Sequence, residues 1–353
     1  MSLSEISFEL TNACNLKCIH CIRQTAEMGN FPMDVFERIL VDARVFETPH
    51  IILTGGEPTL HPHLKEAIDI IVDNDYTYNI VTNGWNFERV MDITGSRLKR
   101  KKNLTGISLS IDGARAETHD AIRGEGSFRE LMKAVTIIKA NHIRFAFLMT
   151  LNAINRDEME DTAKLSMKIG AKCIFLTHMF PTRKTVEAGI VLNPQGWREV
   201  EAEAAEIKSF SKHEVHMTMG AYTPLKMFQC RTLSLSNPNF DYKGRLTFCC
   251  LLSGYREERA TAPTEIIADM AKTNLFDALK RWMDRVHEYN LEKLEYIKNK
   301  KWTDLDYFPC YYCQKHFGKM RWLGDYPDSP WAESITEERH PSKSKQAAAA
   351  GGK

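Results

Sequence analysis

The sequence predicts an α/β protein: a partial, TIM-like (β/α)6 barrel followed by a small α+β region rich in cysteine. Two observations carry this prediction. Short apolar runs alternate with amphipathic helical runs over the first two thirds of the chain. Near Val215 that rhythm stops, and five of the nine cysteines then fall between Cys230 and Cys313. Six strand–helix units in succession imply a parallel sheet with right-handed crossovers. Six units fall short of the eight that close a barrel, so the barrel is expected to stay open.

The strands are expected at residues 6–10, 50–54, 78–82, 106–111, 144–151 and 172–176. Their cores are short and apolar, as when both faces of a sheet are covered. The first helix is read over 33–44, where Met33, Phe36, Ile39 and Leu40 recur at three- and four-residue steps. Further helices are expected at 64–72, 128–140 and 157–169. A charged one over 199–209 is opened by Asn193-Pro194, with proline at a first-turn position that needs no N–H. Residues 1–215 are therefore read as the barrel and 216–325 as a smaller region with short strands, one at 246–249, and a charged helical insertion at 274–301. The rest, 326–353, is read as a tail expected to be disordered; its end, SKSKQAAAAGGK, is low in complexity.

Lys and Arg number 47 against 46 Asp and Glu, so no global field points to nucleic acid or to an anionic membrane. The basic run Arg97-Leu-Lys-Arg-Lys-Lys102 is read as a solvated loop or helix end. No apolar stretch reaches the roughly 18–20 residues of a membrane span. The N-terminal residues lack the basic start and apolar run of a signal peptide, so a cytoplasmic protein is expected. In a reducing compartment cysteines are better read as metal ligands or catalytic thiols than as disulfides. Cys173, inside a predicted strand, is read as a core thiol.

The most informative segment is Thr11-Asn-Ala-Cys14-Asn-Leu-Lys-Cys18-Ile-His-Cys21. It follows the first strand directly, which sets the cysteines at the carboxyl end of a barrel strand, the end that carries chemistry in such barrels. Three thiolates so close in sequence suit one iron–sulfur cluster. Three ligands leave one iron open, free to bind a substrate or cofactor and pass it an electron. Zinc and three structural thiols are the alternatives. Zinc usually takes four ligands in paired spacing, and only His20 offers itself as a fourth.

The Cys-x3-Cys-x2-Cys spacing closely resembles the radical S-adenosylmethionine (SAM) superfamily, and further motifs match it in order. The resemblance implies a [4Fe–4S] cluster on Cys14, Cys18 and Cys21, with SAM chelating the open iron. One electron from the reduced cluster then yields methionine and a 5′-deoxyadenosyl radical that abstracts hydrogen from substrate. The second strand ends in Gly55-Gly56-Glu57-Pro58, similar to the family's GGEP motif, which receives the SAM amino group. Thr82-Asn83-Gly84 looks like the TNG motif near the ribose and cluster. Ser110-Ile-Asp112-Gly113, followed by His119-Asp-Ala-Ile-Arg123-Gly-Glu-Gly126-Ser-Phe128, is similar to the SIDG…HDxxRGxGxF pattern. That likeness gives Ser110, Arg123 and Asp112 roles toward the SAM carboxylate and ribose. Thr150 and Asn152 at the fifth strand are expected to reach ribose or substrate. His20 stands where aromatic residues are common and is expected to stack on adenine.

The later cysteines read Cys230, then Gly244-Arg-Leu-Thr-Phe-Cys249-Cys250, then Cys310-Tyr-Tyr-Cys313. This resembles the opening of a SPASM domain, in its shortened twitch form, and implies a second, auxiliary [4Fe–4S] cluster on Cys230, Cys249, Cys310 and Cys313. A four-cysteine zinc site is the alternative. Cys250 is left as the spare, since alternation along a strand puts neighbours on opposite faces. Tyr311, Tyr312 and Phe317 are read as cluster-shielding core. A fully ligated second cluster is expected to accept an electron. That implies an oxidoreductase acting by oxidation or crosslinking of a ribosomal peptide, or by dehydrogenation of a sugar-like small molecule, with a flavodoxin- or ferredoxin-type reductant. An epimerase with a cysteine hydrogen donor, and a non-enzymatic iron–sulfur electron carrier, are the alternatives. Since the barrel starts near Ser7, no peptide-recognition extension is expected before it.

Overall fold

The computed structural model describes residues 2–23, 28–47, 50–210, 213–218, 220–228, 230–253, 265–299, 302–332 and 335. All six expected strands form: β1 (Glu5–Thr11), β2 (His50–Gly55), β3 (Tyr78–Thr82), β4 (Leu104–Ser110), β5 (Phe145–Leu151) and β6 (Cys173–His178). Between them run α1 (Met33–Asp42), α2 (Leu64–Asp73), α3 (Phe87–Gly95), α4 (Leu98–Asn103), α5 (Ala116–Arg123), α6 (Ser127–Ala140) and α7 (Met159–Ile169). The chain continues through α8 (Arg183–Glu187), α9 (Pro194–Phe210) and a seventh strand, β7 (Glu214–Met217), paired in parallel with β6. After it come β8 (Asn239–Phe240), β9 (Arg245–Thr247), α10 (Cys250–Ser253), β10 (Ile266–Asp269), α11 (Leu275–Asn299) and α12 (Pro309–His316).

One sheet holds every strand, in the order β10-β9-β8-β1-β2-β3-β4-β5-β6-β7. From β8 to β7 all pairs are parallel, while β9 and β10 run antiparallel. The region after residue 215 therefore continues the barrel's own sheet: Ser7 and Phe8 of β1 pair with Asn239 and Phe240 of β8. Phe8 also stacks on Phe240, with ring centroids 5.3 Å apart, and the apolar core runs unbroken through both regions.

The strands are covered less evenly than their apolar character predicts. Along β3, β4 and β5, Tyr78, Ile80, Ile107, Leu109, Phe147 and Met149 are fully buried. Their alternating neighbours Asn79, Val81, Ser108, Ser110, Leu148 and Thr150 are half-buried. Successive side chains point to opposite faces. One face is fully buried, and the other, rich in hydroxyls and amides, is partly open.

The basic run at 97–102 opens α4 and is held against α2. Arg100 is buried, with Nε and Nη2 donating to Asp69 Oδ1 and Oδ2 at 2.7 and 2.6 Å. Arg97 spans Asp69 and Asp73, and Lys99 pairs with Asp75 at 2.8 Å. Hydrogen bonds from Arg100, and then burial working against them, leave the Asp69 carboxyl below its ordinary value. Asp69→Asn is expected to cost about 1–2 kcal/mol in urea unfolding of the apo chain, the low end for charged hydrogen bonds because Asp69 is partly exposed. A carboxyl with a lowered folded-state pKa stabilises above its unfolded value of about 3.9. The gap between wild type and variant should therefore hold through neutral pH and close as the pH falls below about 4.

Residues 326–332 differ from the expected disordered tail. Trp331 is buried, its Nε1 donates to the Leu192 carbonyl at 2.9 Å, and its ring lies 4.6 Å from that of Tyr311. Residues 336–353 lie outside the described residues.

Candidate active site

The cysteine loop leaves β1 at Thr11 and is held from the end of β2. Gly56 N donates to Thr11 O at 2.6 Å, and Glu57 N donates to Ala13 O at 2.7 Å. A Cβ on Gly55, whose φ is +133°, would stand 2.3 Å from Thr11 O; one on Gly56 would stand 2.2 Å from Ala13 O. The close backbone approach that the glycines allow is thus made to the cysteine loop itself.

Glu57 is 1% exposed. Its carboxylate accepts from Thr59 N and Oγ1, from Thr82 Oγ1 at 2.8 Å and from Asn83 N at 2.8 Å. Burial raises its pKa against those donors. This carboxylate clamps the Gly-Gly-Glu-Pro turn to Thr82-Asn83. Asn83 in turn donates to Asn15 Oδ1 at 3.0 Å, and its Nδ2 lies 3.9 Å from Cys14 Sγ. Three loops are joined in this way: the cysteine loop and the ends of β2 and β3. Cys14 is exposed, Cys18 is buried and Cys21 is half-buried.

The second anchor is Asp112, fully buried just past β4. Arg123 Nε stands 2.6 Å from Asp112 Oδ2, and His20 Nδ1 stands 3.7 Å from the same oxygen. Thr150 N donates to Oδ1 at 2.8 Å. Burial alone would raise this carboxyl, but the Arg123 charge leads the effects that hold it below its ordinary value. Arg123 Nη1 also reaches Cys18 Sγ at 4.0 Å. Burial pushes the Cys18 thiol up to about 11, with Arg123 opposing. Burial holds His20 down to about 4, so its ring is neutral at physiological pH.

Ser110 and Thr150 are half-buried at the ends of β4 and β5, on the partly open face. Asn152 is fully buried, with its Nδ2 donating to Thr150 O and its Oδ1 accepting from Ile154 N. It shapes its own turn. Several contributors have no role in the sequence reading. Asp120 accepts from Gly126 N, Ser127 Oγ and Phe128 N, which fixes the turn after Arg123. Glu158 accepts from Ala114 N, Arg115 Nε and Thr118 Oγ1. Asn155 Nδ2 donates to the Asp112 carbonyl at 3.1 Å. An aspartate shortly before a Gly-x-Gly-Ser turn was the legible signal for the first; long-range acceptors such as Glu158 leave none.

Cys230, Cys249, Cys310 and Cys313 line one cavity, together with Phe228 and Phe248. Tyr289 Oη lies 3.1 Å from Cys313 Sγ. Tyr311, Tyr312 and Phe317 are buried but are not among the residues that line the cavity. Cys250 is not among the lining residues and is exposed. The expected strand at 246–249 ends at Thr247 and α10 begins at Cys250, so a strand-to-helix turn, not alternation, separates the two cysteines. A buried network is centred on the first strand. Glu9 of β1 accepts from Arg23 Nη2 and Asn239 Nδ2 at 3.1 Å each, and from Ser253 Oγ.

Among the described residues, only Cys173, Glu214 and His216 bring three ligand atoms within 4.8 Å of one another, and Cys173 is buried on β6. The loop thiols and the cavity thiols are set wider. Sulfurs around one zinc, bonded at about 2.3 Å in a tetrahedron, stand about 3.8 Å apart. Among the described residues, neither group brings three sulfurs within 4.8 Å of one another.

Strand order and loop geometry define an open (β/α) barrel with a three-cysteine loop at the carboxyl end of its first strand. Residues 8–166 match the Radical SAM superfamily, and the chain carries a radical SAM domain. Among curated proteins it is 27% identical over 220 residues to an AdoMet-dependent heme synthase of Methanosarcina barkeri, covering 60% of this chain and 61% of that one. It is 27% identical over 198 residues to the mycofactocin maturase MftC of Mycobacterium ulcerans, covering 55% and 52%. It is 30% identical over 172 residues to the subtilosin biosynthesis protein AlbA of Bacillus subtilis, covering 47% and 37%. The matched segment thus spans about a third to three-fifths of these relatives. In fold, anSMEcpe with bound AdoMet and the Cp18Cys peptide matches with TM-score 0.64 and 14% identity, covering 96% of this chain and 100% of that one. Streptococcus suis SuiB bound to SAM matches with TM-score 0.62 and 12% identity, covering 78% and 65%.

Proposed function

We propose that this chain is a radical SAM oxidoreductase that holds a [4Fe–4S] cluster through Cys14, Cys18 and Cys21 and a second one through Cys230, Cys249, Cys310 and Cys313. The first cluster, when bound with SAM and reduced, supplies a 5′-deoxyadenosyl radical that abstracts hydrogen from a substrate. The observation that carries the reading is the clamp through Glu57 and Asn83, which brings the Gly-Gly-Glu-Pro turn and the Thr-Asn-Gly turn against Cys14. Gly55, Gly56, Glu57 and Pro58 shape the turn that would receive the SAM amino group. Thr82, Asn83, Ser110, Asp112, Arg123, Thr150 and Asn152 shape the wall for its carboxylate and ribose. Neutral His20 offers a ring face to adenine. Arg123, a planar donor fork beside Cys18, suits a carboxylate or ribose oxygen.

The substrate we propose is a ribosomal peptide undergoing net oxidation. One hydrogen atom goes to the 5′-deoxyadenosyl group, one proton leaves, and one electron passes to the second cluster. Similarity to a mycofactocin maturase and a bacteriocin biosynthesis protein supports a peptide; similarity to a heme synthase supports a small molecule as the second reading. The electron carrier reading is weaker, because a carrier has no use for a clamp around an open iron. A flavodoxin- or ferredoxin-type protein in the cytoplasm is the reductant proposed. No helix among the described residues is long and apolar enough to cross a membrane.

The test is iron and sulfide analysis with EPR on anaerobically reconstituted protein, beside a Cys14/Cys18/Cys21→Ala variant. About eight irons falling to about four, with SAM perturbing only the wild-type signal, is the expected result. Reduced wild type should release 5′-deoxyadenosine. No iron at the triad would sink the reading.

A further inference from the structure

The buried stripe of α11 runs Leu275, Ala278, Leu279, Trp282, Val286, Tyr289 and Lys293. Six of these positions hold residues that bury readily. The seventh holds a lysine that is 1% exposed and whose Nζ has no hydrogen-bond partner among the described residues. Lysine is almost never fully buried unless paired. Among the described residues its ammonium lies over two rings, 3.2 Å from the centroid of Phe228 and 4.5 Å from that of Tyr312. Phe228 lines the four-cysteine cavity, and Cys313 and Cys230 are among the groups whose charge Lys293 feels. The acid that also acts on it, Asp306, is engaged by Lys315 Nζ, Tyr296 Oη and Thr303.

We infer that Lys293 is the counter-charge of the second cluster, placed to stabilise its reduced, more negative state. The inference rests on the proposed second cluster. Without that cluster the ammonium is a buried cation lying over aromatic faces, and burial, against the pull of Cys313, Asp306 and Cys230, drops its pKa to about 8. With it, four thiolates bring net negative charge to the wall beside it. A neighbouring cation favours the form with one more electron, which raises the potential and suits an acceptor. Lys293 would then be a positioning residue for electron transfer and touch no substrate.

The two roles open to a buried lysine predict opposite signs in the apo chain. As a counter-charge it costs stability until the cluster arrives, so Lys293→Met should raise the apo melting temperature. If cation–π packing is its whole purpose, the same change should lower it. The measurement is EPR-monitored redox titration of the second cluster in the Cys14/Cys18/Cys21→Ala background, with and without Lys293→Met and Lys293→Arg, beside thermal unfolding of each apo chain. A lower potential in Lys293→Met, a near-parental one in Lys293→Arg and a higher apo melting temperature in Lys293→Met are expected. Reduced iron retention in a Lys293→Met chain whose apo form is more stable supports the same role. An unchanged potential with four irons bound overturns the inference and leaves the second cluster standing. A less stable apo variant overturns it as well. A parental cavity that takes up no iron overturns both.

Discussion

Gly56→Ala is expected to remove the loop cluster while leaving the chain folded and the four-cysteine cavity loaded. A Cβ at this position meets Ala13 O at 2.2 Å and Ala13 C at 2.7 Å. Both are backbone atoms, so no side chain can swing aside. Either the end of β2 retreats or the cysteine loop does. The two bonds that register them, Gly56 N to Thr11 O and Glu57 N to Ala13 O, stretch in either case. The stability cost should be about 1–3 kcal/mol, as for overpacking elsewhere. The functional cost should be larger, because a misplacement of about 1 Å costs on the order of a hundredfold in rate. Iron should fall from about eight to about four per chain, and 5′-deoxyadenosine production should drop at least a hundredfold. Gly95→Ala is the control: nothing lies within 4 Å of a Cβ there, and it ends a helix. That substitution should be neutral or slightly stabilising. A Gly56→Ala protein that keeps the SAM-perturbed EPR signal would refute the assignment of this contact.

The barrel was legible because its strands are long enough to show a period and its helices show apolar steps of three and four. α3, with Phe87, Val90, Ile93 and Thr94 buried, carries the same signal and is missing from the sequence reading only because its stripe is short. Short elements stay hidden for a physical reason. β8 has two residues and β9 three, too few to express an alternation, and each is fixed by pairing to β1 or to its neighbour. The ends of the chemistry were legible as residue types at strand ends, but not the partners each would find. Glu57 reads as an acceptor for a ligand and is occupied by Thr59, Thr82 and Asn83. Asn152 reads as a ribose contact and closes its own turn. Buried charges are the least legible class. Glu9 and Lys293 sit where an apolar residue is the default, and only their three-dimensional partners explain them.

Asp112→Asn is expected to have the largest effect on stability of any single change in the site that preserves volume. The wild-type carboxylate faces Arg123 Nε, His20 Nδ1 and Thr150 N from one fully buried position. An amide of the same shape offers one acceptor where several donors converge, and it turns its own donor toward one of them. Arg123, itself nearly buried, loses the charge opposite it. Removing one partner of a buried ion pair costs about 3–5 kcal/mol because the other is left uncompensated. Arg123→Met should cost less in the Asp112→Asn background than alone, with a coupling energy of about 2 kcal/mol or more in a double-mutant cycle on the apo chain. The sign with pH follows from the lowered Asp112 carboxyl. Its contribution is fully present above the unfolded value of about 3.9 and fades as the pH drops below it, so the cycle belongs at neutral pH. Additivity of the two substitutions would show that Arg123 is held by packing alone. Strong coupling would mean that Asp112 fixes a guanidinium that stands beside Cys18 and faces the proposed SAM site, so its loss should also weaken SAM binding in the loaded protein.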